Sequence, residues 1–256
     1  MAADALLYAR AGNVLLCLAL GLYLWRSHLV QVRRAFAYYL CFHGLRGFAL
    51  LTTPLNRTGY GYVYFATEPI VWLFYVLIVI ELYTVALKDL KGIALLSRWV
   101  LSGLVGLAVL LSLISLPPDL NSNHPFPIIQ VTTAIGRAIC TSLALFLLGI
   151  TAFFLSYPIP LSRNTIVHSA ICSVYFLTLA AAYFVHNVVG RESWAVVNLS
   201  LVAITGLTLL AWIVLLKPEG ERVMIEHRRP WSPETEQHLL DRLNALNTVL
   251  ARSLRK

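Results

Sequence analysis

The chain has 256 residues, of which 59% are apolar and only 12% are charged, and its mean hydropathy is +0.74. In a soluble domain roughly a quarter of all residues are charged. This composition therefore excludes a soluble globular protein and predicts membrane-spanning helices. The net charge of +8 does not indicate nucleic-acid binding, since the basic residues lie at the ends of apolar runs, where they anchor topology and contact anionic lipid.

Breaks at charged residues, proline and glycine divide the apolar sequence into seven predicted transmembrane spans. The first lacks the basic start and the cleavage site of a signal peptide, so we interpret it as a retained helix. Lipid offers the backbone no hydrogen-bond partners, and each span is therefore predicted to be helical. The spans lie near 4–25, 35–53, 67–87, 99–116, 127–155, 165–187 and 194–216, and they form a predicted all-α transmembrane domain over residues 1–216.

The distribution of lysine and arginine between the short loops predicts the orientation of this bundle, because cytoplasmic loops carry an excess of both. With the N-terminus outside, the inner loops hold the larger basic set and the C-terminus is cytoplasmic. The location expected is a bacterial inner (plasma) membrane. The inner set is Arg26, Arg33, Arg34, Lys88, Lys91, Arg98 and Arg163, and the outer set is Arg10, Arg57 and Arg191.

A change of composition after Lys217 marks a predicted cytoplasmic tail over residues 217–256. Ser232 can cap a helix that has Pro233 at its first position, which predicts an amphipathic helix near 233–254. Its apolar stripe has three interpretations: packing on the inner mouth of the bundle or on the bilayer surface, a homodimer through a short coiled coil, or docking to a protein partner. The stripe consists of Leu239, Leu243, Leu246, Leu250 and Leu254.

Four ionisable residues lie inside the predicted spans, where a charge is costly and points to function by default. At about 1.5 Å per residue along a helix, Arg46 and Arg137 can both approach Glu81 in the middle of the bundle. Glu68 lies near the outer boundary, and we expect it to be the outer partner of Arg46 or a carboxylate at a helix N-terminus. These residues predict a buried polar centre.

Polar side chains at helical spacing accompany the charges on three spans and predict a lined ligand cavity. The alternative is a set of hydrogen bonds and an ion pair that only fix the packing. The stripes are Tyr39, His43 and Arg46 on span 2, Gln130, Thr133, Arg137 and Thr141 on span 5, and His168, Cys172, Tyr175, Tyr183 and His186 on span 6. The candidate cavity residues are Arg46, Glu81, Arg137, His43, Tyr39, Glu68 and Tyr175.

The sequence contains no motif for a cofactor, a metal or catalysis. Every lysine lies at or beyond a span end, which argues against a retinal Schiff base, and the histidines lie at different depths, which disfavours bis-histidine haem. The four cysteines stand singly, so neither a disulfide framework nor a zinc site is indicated. Intramembrane protease motifs are missing from the sequence as well. We therefore predict no cofactor, and an enzyme is the least favoured class.

Three functions stay open at this point. The first is a receptor-like or accessory protein that binds a small ligand in the polar cavity and engages a partner through its tail. The second is a small-solute or proton-coupled transporter, and the third is a membrane enzyme whose reaction the sequence does not specify. In topology, residues 1–216 resemble the seven-helix sensor regions found ahead of bacterial signalling domains, without a diagnostic motif.

Overall fold

The computed structural model describes residues 2–52, 58–88, 90–114, 127–156, 161–189, 194–222, 224–225 and 233–253, and nearly all of these residues are helical. The α-helices are α1 (Ala2–Arg26), α2 (Arg34–Thr52), α3 (Thr58–Ala86), α4 (Lys91–Ile114), α5 (Pro127–Ser156), α6 (Arg163–Val189), α7 (Trp194–Leu215) and α8 (Pro233–Ser253). Two 3-10 turns, Leu29–Gln31 and Pro218–Glu221, and two short strands, β1 (Leu161–Ser162) and β2 (Met224–Ile225), connect them.

Five helices of the described chain are long and apolar enough to cross a membrane. They are α1, α3, α5, α6 and α7, with apolar segments of 20 to 26 residues. Leucine and valine side chains are exposed along the outward faces of these helices, as expected for surfaces that contact lipid. These properties fit a helical, multi-pass integral membrane protein.

The predicted count of seven spans is not confirmed by this criterion, because only five helices of the described residues meet it. Helix α2 has 19 residues, and its His43 and Arg46 make it less apolar than the five others. Much of α4 lies outside the residues whose side chains the structure describes. Each predicted span nevertheless overlaps one of the helices α1 to α7, although residues 53, 115 and 116 lie outside the described chain.

Two helices begin earlier than predicted. Helix α3 begins at Thr58 and continues through Pro69, and α4 begins at Lys91, so much of two predicted loops is helical. Charged and aromatic residues mark the water interface of a membrane, whereas a helix can continue beyond that interface. Proline is also tolerated inside membrane helices, since neighbouring groups satisfy the freed carbonyl. The sequence therefore predicted where the apolar segment begins better than where the helix begins.

The helices pack as a ring with two further layers on one side. Helix α1 packs on α2 and α7, α2 packs on α3, and α6 packs on both α3 and α7. Helix α5 covers α3 and α6, α4 packs on α5, and the tail helix α8 packs on α4. Contacts from Arg33 to Thr165 and from Ala35 to Glu81 bring together the starts of α2 and α6 and the end of α3. We call this the junction end of the bundle.

Glu81 of α3 caps the beginning of α2. Its Oε1 atom accepts a hydrogen bond from the backbone N–H of Ala35 at 2.8 Å, and Oε2 accepts one from the N–H of Phe36 at 3.3 Å. The first N–H groups of a helix have no partner within the helix, and a carboxylate also interacts favourably with the positive end of the helix dipole. Glu81 therefore holds the start of α2 against α3.

The tail helix caps α4 in a similar way. Asn247 Oδ1 accepts hydrogen bonds from the backbone N–H groups of Gly92, at 2.7 Å, and of Ile93, at 3.4 Å. On the apolar stripe of α8, Leu243 is buried against the bundle. The tail helix thus packs on α4. Of the other stripe residues, Leu239 and Leu250 are half-buried, Leu246 is exposed, and Leu254 lies outside the described residues.

The segment after α7 is fastened to the start of α6. Asn164 Nδ2 donates to the carbonyl of Lys217 at 2.7 Å, and Asn164 Oδ1 accepts from the N–H of Lys217 at 3.3 Å. Strands β1 and β2 pair in antiparallel orientation beside this contact. Gly220 lies directly against the Asn164 carboxamide, and a Cβ atom at position 220 would overlap Asn164 Oδ1. The beginning of the tail is therefore tightly packed.

We expect Gly220→Ala to destabilise the protein by about 1–3 kcal/mol, because the added methyl group forces Asn164 away from Lys217. The midpoint of thermal unfolding in detergent, followed by circular dichroism, measures this loss. Gly149→Ala is the matched control, since a Cβ atom at position 149 meets nothing within 4 Å and alanine is the better helix former. Equal midpoints for the two variants would contradict the tight contact at Gly220.

Candidate functional site

A buried ion pair joins α2 to α3. Arg46 Nη2 donates a hydrogen bond to Glu68 Oε2, and the two side chains are 8% and 4% exposed. Depth along the helices suggested the same partner for Arg46. A single charge in a poorly polarisable interior is strongly unfavourable, so each of these residues needs the other.

Two tyrosines extend the ion pair. Tyr183 of α6 donates its hydroxyl hydrogen to Glu68 Oε1 over 3.2 Å. The Arg46 guanidinium lies over the ring of Tyr64, with Cζ 4.9 Å from the ring centroid, as in a cation–π contact. Both oxygens of the Glu68 carboxylate are therefore occupied, and α2, α3 and α6 meet at one network.

Helix α5 approaches this network closely at Gly136. A Cβ atom at position 136 would lie 3.1 Å from a ring carbon of Tyr183 and 3.4 Å from Trp72 Nε1. Trp72 lies four residues after Glu68 on α3, and residues at this spacing share one face of a helix. The small side chain at Gly136 thus lets α5 pack against both rings. We define the intramembrane site as Arg46, Glu68, Tyr64, Tyr183 and Trp72, with His43 beside it.

Three buried nitrogen atoms at the intramembrane site have no hydrogen-bond partner in the described part of the chain. They are Arg46 Nε, Trp72 Nε1 and His43 Nδ1. The guanidinium and indole nitrogens can only donate, and His43 lies one turn before Arg46 on the same face of α2. Buried polar groups are usually paired. The site therefore combines a carboxylate that already accepts two hydrogen bonds with donors that have no partner in the described chain.

Aromatic side chains continue from the intramembrane site toward the junction end. The ring of Tyr39 lies 5.2 Å from that of His43 and 5.6 Å from that of Tyr75. The hydroxyl oxygens of Tyr75 and Tyr175 are 3.1 Å apart, and the Tyr175 ring lies 6.3 Å from Trp212 on α7. We call these rings the aromatic column. The aromatic column links α2, α3, α6 and α7.

Arg33 lies at the junction end of the same bundle and is 1% exposed. Its Nη2 atom donates to Thr165 Oγ1 at 2.9 Å and lies 3.5 Å from Glu221 Oε1. Ser162 donates to the other oxygen of Glu221 at 3.2 Å. The sequence predicted Arg33 to be a basic residue of an inner loop. The structure instead buries it, with Glu221 as its charge partner and the Thr165 hydroxyl as a hydrogen-bond acceptor.

The predicted convergence of Arg46, Glu81 and Arg137 is not found among the described contacts. Glu81 caps α2 at the junction end, where the N–H groups of Ala35 and Phe36 satisfy its carboxylate. Within the described residues no hydrogen bond or ion pair joins Arg137 to Glu81. Arg137 follows Gly136 and is therefore rotated by about 100° from the face that approaches the intramembrane site. The ion pair that does form is that of Arg46 with Glu68.

The polar stripes were only partly informative. Tyr39, His43 and Tyr175 lie in the column beside the ion pair, but Thr141 is exposed. The side chains of Gln130, Thr133 and His186 lie outside the described part of the structure. Tyr64 and Trp72 were missed, although they lie one turn before and one turn after Glu68 on α3. That spacing around a buried carboxylate was the available signal.

Comparison with protein-family models, with curated proteins and with solved structures gave no match to this chain. Among the residues that the structure describes, no group of three or more His, Cys, Asp or Glu side chains could hold a metal ion. Function is therefore inferred from the buried arginines, their partners and the tail.

We expect Glu68→Met to destabilise the protein by about 3–5 kcal/mol, because it leaves the Arg46 charge buried and unpaired. The double variant Arg46→Met/Glu68→Met removes both charges and should recover most of this loss. The free energy of unfolding, from denaturant titration of each variant in one detergent, measures both effects. A double variant as unstable as the single one would contradict a charge-compensated pair.

Proposed function

We propose that this protein is a receptor-like, non-enzymatic membrane protein that binds a small ligand at the intramembrane site and reports binding through its tail. One observation carries the proposal: one buried arginine lies just before α2 and a second lies in the latter half of α2. Arg46 belongs to the intramembrane site, and Arg33, just before α2, holds Glu221 in the tail. The two arginines are thirteen residues apart, or about 20 Å along a helix.

Helix α2 is well suited to transmit a change between these arginines. Its start is held by Glu81 and by Arg33, both through polar contacts, and its middle lies against the aromatic column through Tyr39. A ligand that hydrogen-bonds to Arg46 alters the balance of the Arg46–Glu68 contact and favours a different position of α2. The ligand shifts the equilibrium between the two positions of α2 only by the difference between its binding free energies for them.

The tail is the proposed output of this movement. Glu221 begins the tail and contacts Arg33, while Asn247 of α8 caps α4 at the far side of the bundle. A shift of α2 therefore acts on one of the two attachments of the tail and leaves the other in place. Leu246, which is exposed on α8, is a point of contact for a protein partner or for a second copy of the chain.

This proposal includes a seven-helix topology. Helices α2 and α4 belong to the same packed bundle as the five apolar helices, and the buried pair satisfies the charge that makes α2 less apolar. In this topology the N-terminus lies outside a bacterial inner membrane and the junction end faces the cytoplasm. Basic residues at that end, such as Lys88 and Arg34, then contact anionic lipid.

We expect Glu68→Gln to loosen the tail, because it removes the charge that holds Arg46 and releases α2. A nitroxide label at the start of the tail, introduced at the exposed Arg222 beside Glu221 as Arg222→Cys in a Cys41→Ser background, reports tail mobility by electron paramagnetic resonance. The three remaining cysteines are buried. The mobile fraction of the label should rise in the Glu68→Gln variant.

Asn13→Ala is the matched control for this experiment. Asn13 Nδ2 donates to the carbonyl of Val202 at 2.8 Å, so its loss weakens the contact of α1 with α7 without touching α2. The receptor proposal requires that this variant leave the label unchanged. An equal response of the label to both substitutions, or no response to Glu68→Gln, would rule out transmission through α2.

A proton-coupled carrier is the second candidate function, and the aromatic column favours it. Tyr39, Tyr75 and Tyr175 carry hydroxyl groups between His43 and the junction end, and the hydroxyls of Tyr75 and Tyr175 lie within hydrogen-bond distance. Chains of such groups inside a membrane protein can relay protons. No described group of side chains favours the third candidate, a membrane enzyme.

The carrier function makes its own prediction for Tyr175→Phe. This change removes the hydroxyl contact with Tyr75, so proton flux into proteoliposomes, followed with a pH-sensitive dye, should fall to the level of protein-free vesicles. Tyr38→Phe is the control, since Tyr38 is exposed on the outer side of α2. If the unaltered protein gives no flux above that of empty vesicles, a proton carrier is excluded.

A further inference from the structure

We infer that the ligand of the intramembrane site is an uncharged, lipid-soluble molecule with an acceptor oxygen on a flat ring, as in quinones. The inference rests on the proposed function, because it names the ligand class of that site. It follows from the charge balance of the site, from its unused donors and from the rings around it.

The charge balance argues against charged ligands. Arg46 and Glu68 already compensate each other in a buried environment, and a ligand carboxylate would place a second negative charge near Glu68. A cationic ligand would place a second positive charge near the buried Arg46 guanidinium. A neutral molecule avoids both difficulties.

The unpaired donors require a ligand that accepts hydrogen bonds. Arg46 Nε and Trp72 Nε1 both carry a hydrogen and lack a partner in the described chain, and neither can accept. His43 Nδ1 can donate or accept, according to its tautomer. A carbonyl oxygen has two lone pairs and can accept from one or two of these donors. A ligand that could only donate would leave both fixed donors unsatisfied.

The rings beside the site favour a flat body for the ligand. The site itself contains the rings of Tyr64, Tyr183 and Trp72, and the last two both approach Gly136. Offset and edge contacts with such rings stabilise another aromatic or conjugated ring. Leu45 and Phe48, one residue before and two residues after Arg46, are exposed on an apolar surface. A lipid-soluble molecule can therefore reach α2 from the bilayer.

Duroquinone, a fully substituted benzoquinone, is the probe for this inference. Its four methyl groups leave no ring position for addition of the exposed Cys41 thiol. Equilibrium dialysis against the full-length protein in nanodiscs should show saturable binding above that of empty nanodiscs. Trp72→Phe keeps a ring but removes the N–H donor, and we expect the Kd to rise about tenfold, as for the loss of one buried hydrogen bond.

Trp99→Phe is the matched control, since Trp99 is exposed on α4 and should leave the Kd unchanged. His43→Phe provides a second variant at the site, in case Trp72→Phe does not fold, and it should also weaken binding. Absence of saturable binding, or equal Kd values for the site variants and the Trp99→Phe control, would overturn the inference.

Laurate and dodecylamine test the two charged classes in the same dialysis. Saturable binding of either one, sensitive to Trp72→Phe, would overturn the assignment of a neutral ligand. The proposed function would survive that result if Glu68→Gln still mobilises the tail label. If the label does not respond to Glu68→Gln, the receptor function fails regardless of which probe binds.

Discussion

The cost of burying a charge away from water is the constraint on which the rest of this structure depends. Arg46 can lie inside the bundle only because Glu68 compensates its charge, Tyr183 satisfies the second oxygen of Glu68, and Tyr64 covers the guanidinium. Those partners come from α3 and α6, so the need to satisfy one arginine determines how three helices pack. At the junction end Arg33 imposes the same requirement, and there the partners come from the start of α6 and from the tail.

Helix positions could be predicted from the sequence, because the apolar runs give the axial extent of each helix. Glu68 was one of two partners considered for Arg46, since depth also allowed Arg46 to approach Glu81, and the structure shows the pair with Glu68. Glu81 could not be assigned in this way, since depth does not tell which neighbour a side chain faces. Its partners are backbone N–H groups of α2, which carry no signal in the sequence. The burial of Arg33 depends on Glu221, far along the chain, and such a contact is fixed only by the packed fold.

The two capping contacts from neighbouring helices explain why the tail belongs to the bundle. Glu81 satisfies the first N–H groups of α2, and Asn247 does the same for α4. The first N–H groups of a helix have no partner within that helix, and here a side chain from another helix satisfies them. The apolar stripe of α8 therefore takes part in internal packing through Leu243. Leu246 is the part of it that faces outward.

Buried donors without a partner bear on whether the intramembrane site is a binding site or a polar core that only fixes packing. In a core of that second kind donors are paired with acceptors, as Asn164 is with both backbone groups of Lys217. Arg46 Nε and Trp72 Nε1 at the intramembrane site have no partner in the described chain, and Arg33 Nε and Nη1 at the junction end have none either. An excess of donors beside a compensated charge is unfavourable unless something accepts from them. That imbalance favours a ligand over a static core, and it also limits the ligand to one that brings acceptor oxygens and no net charge.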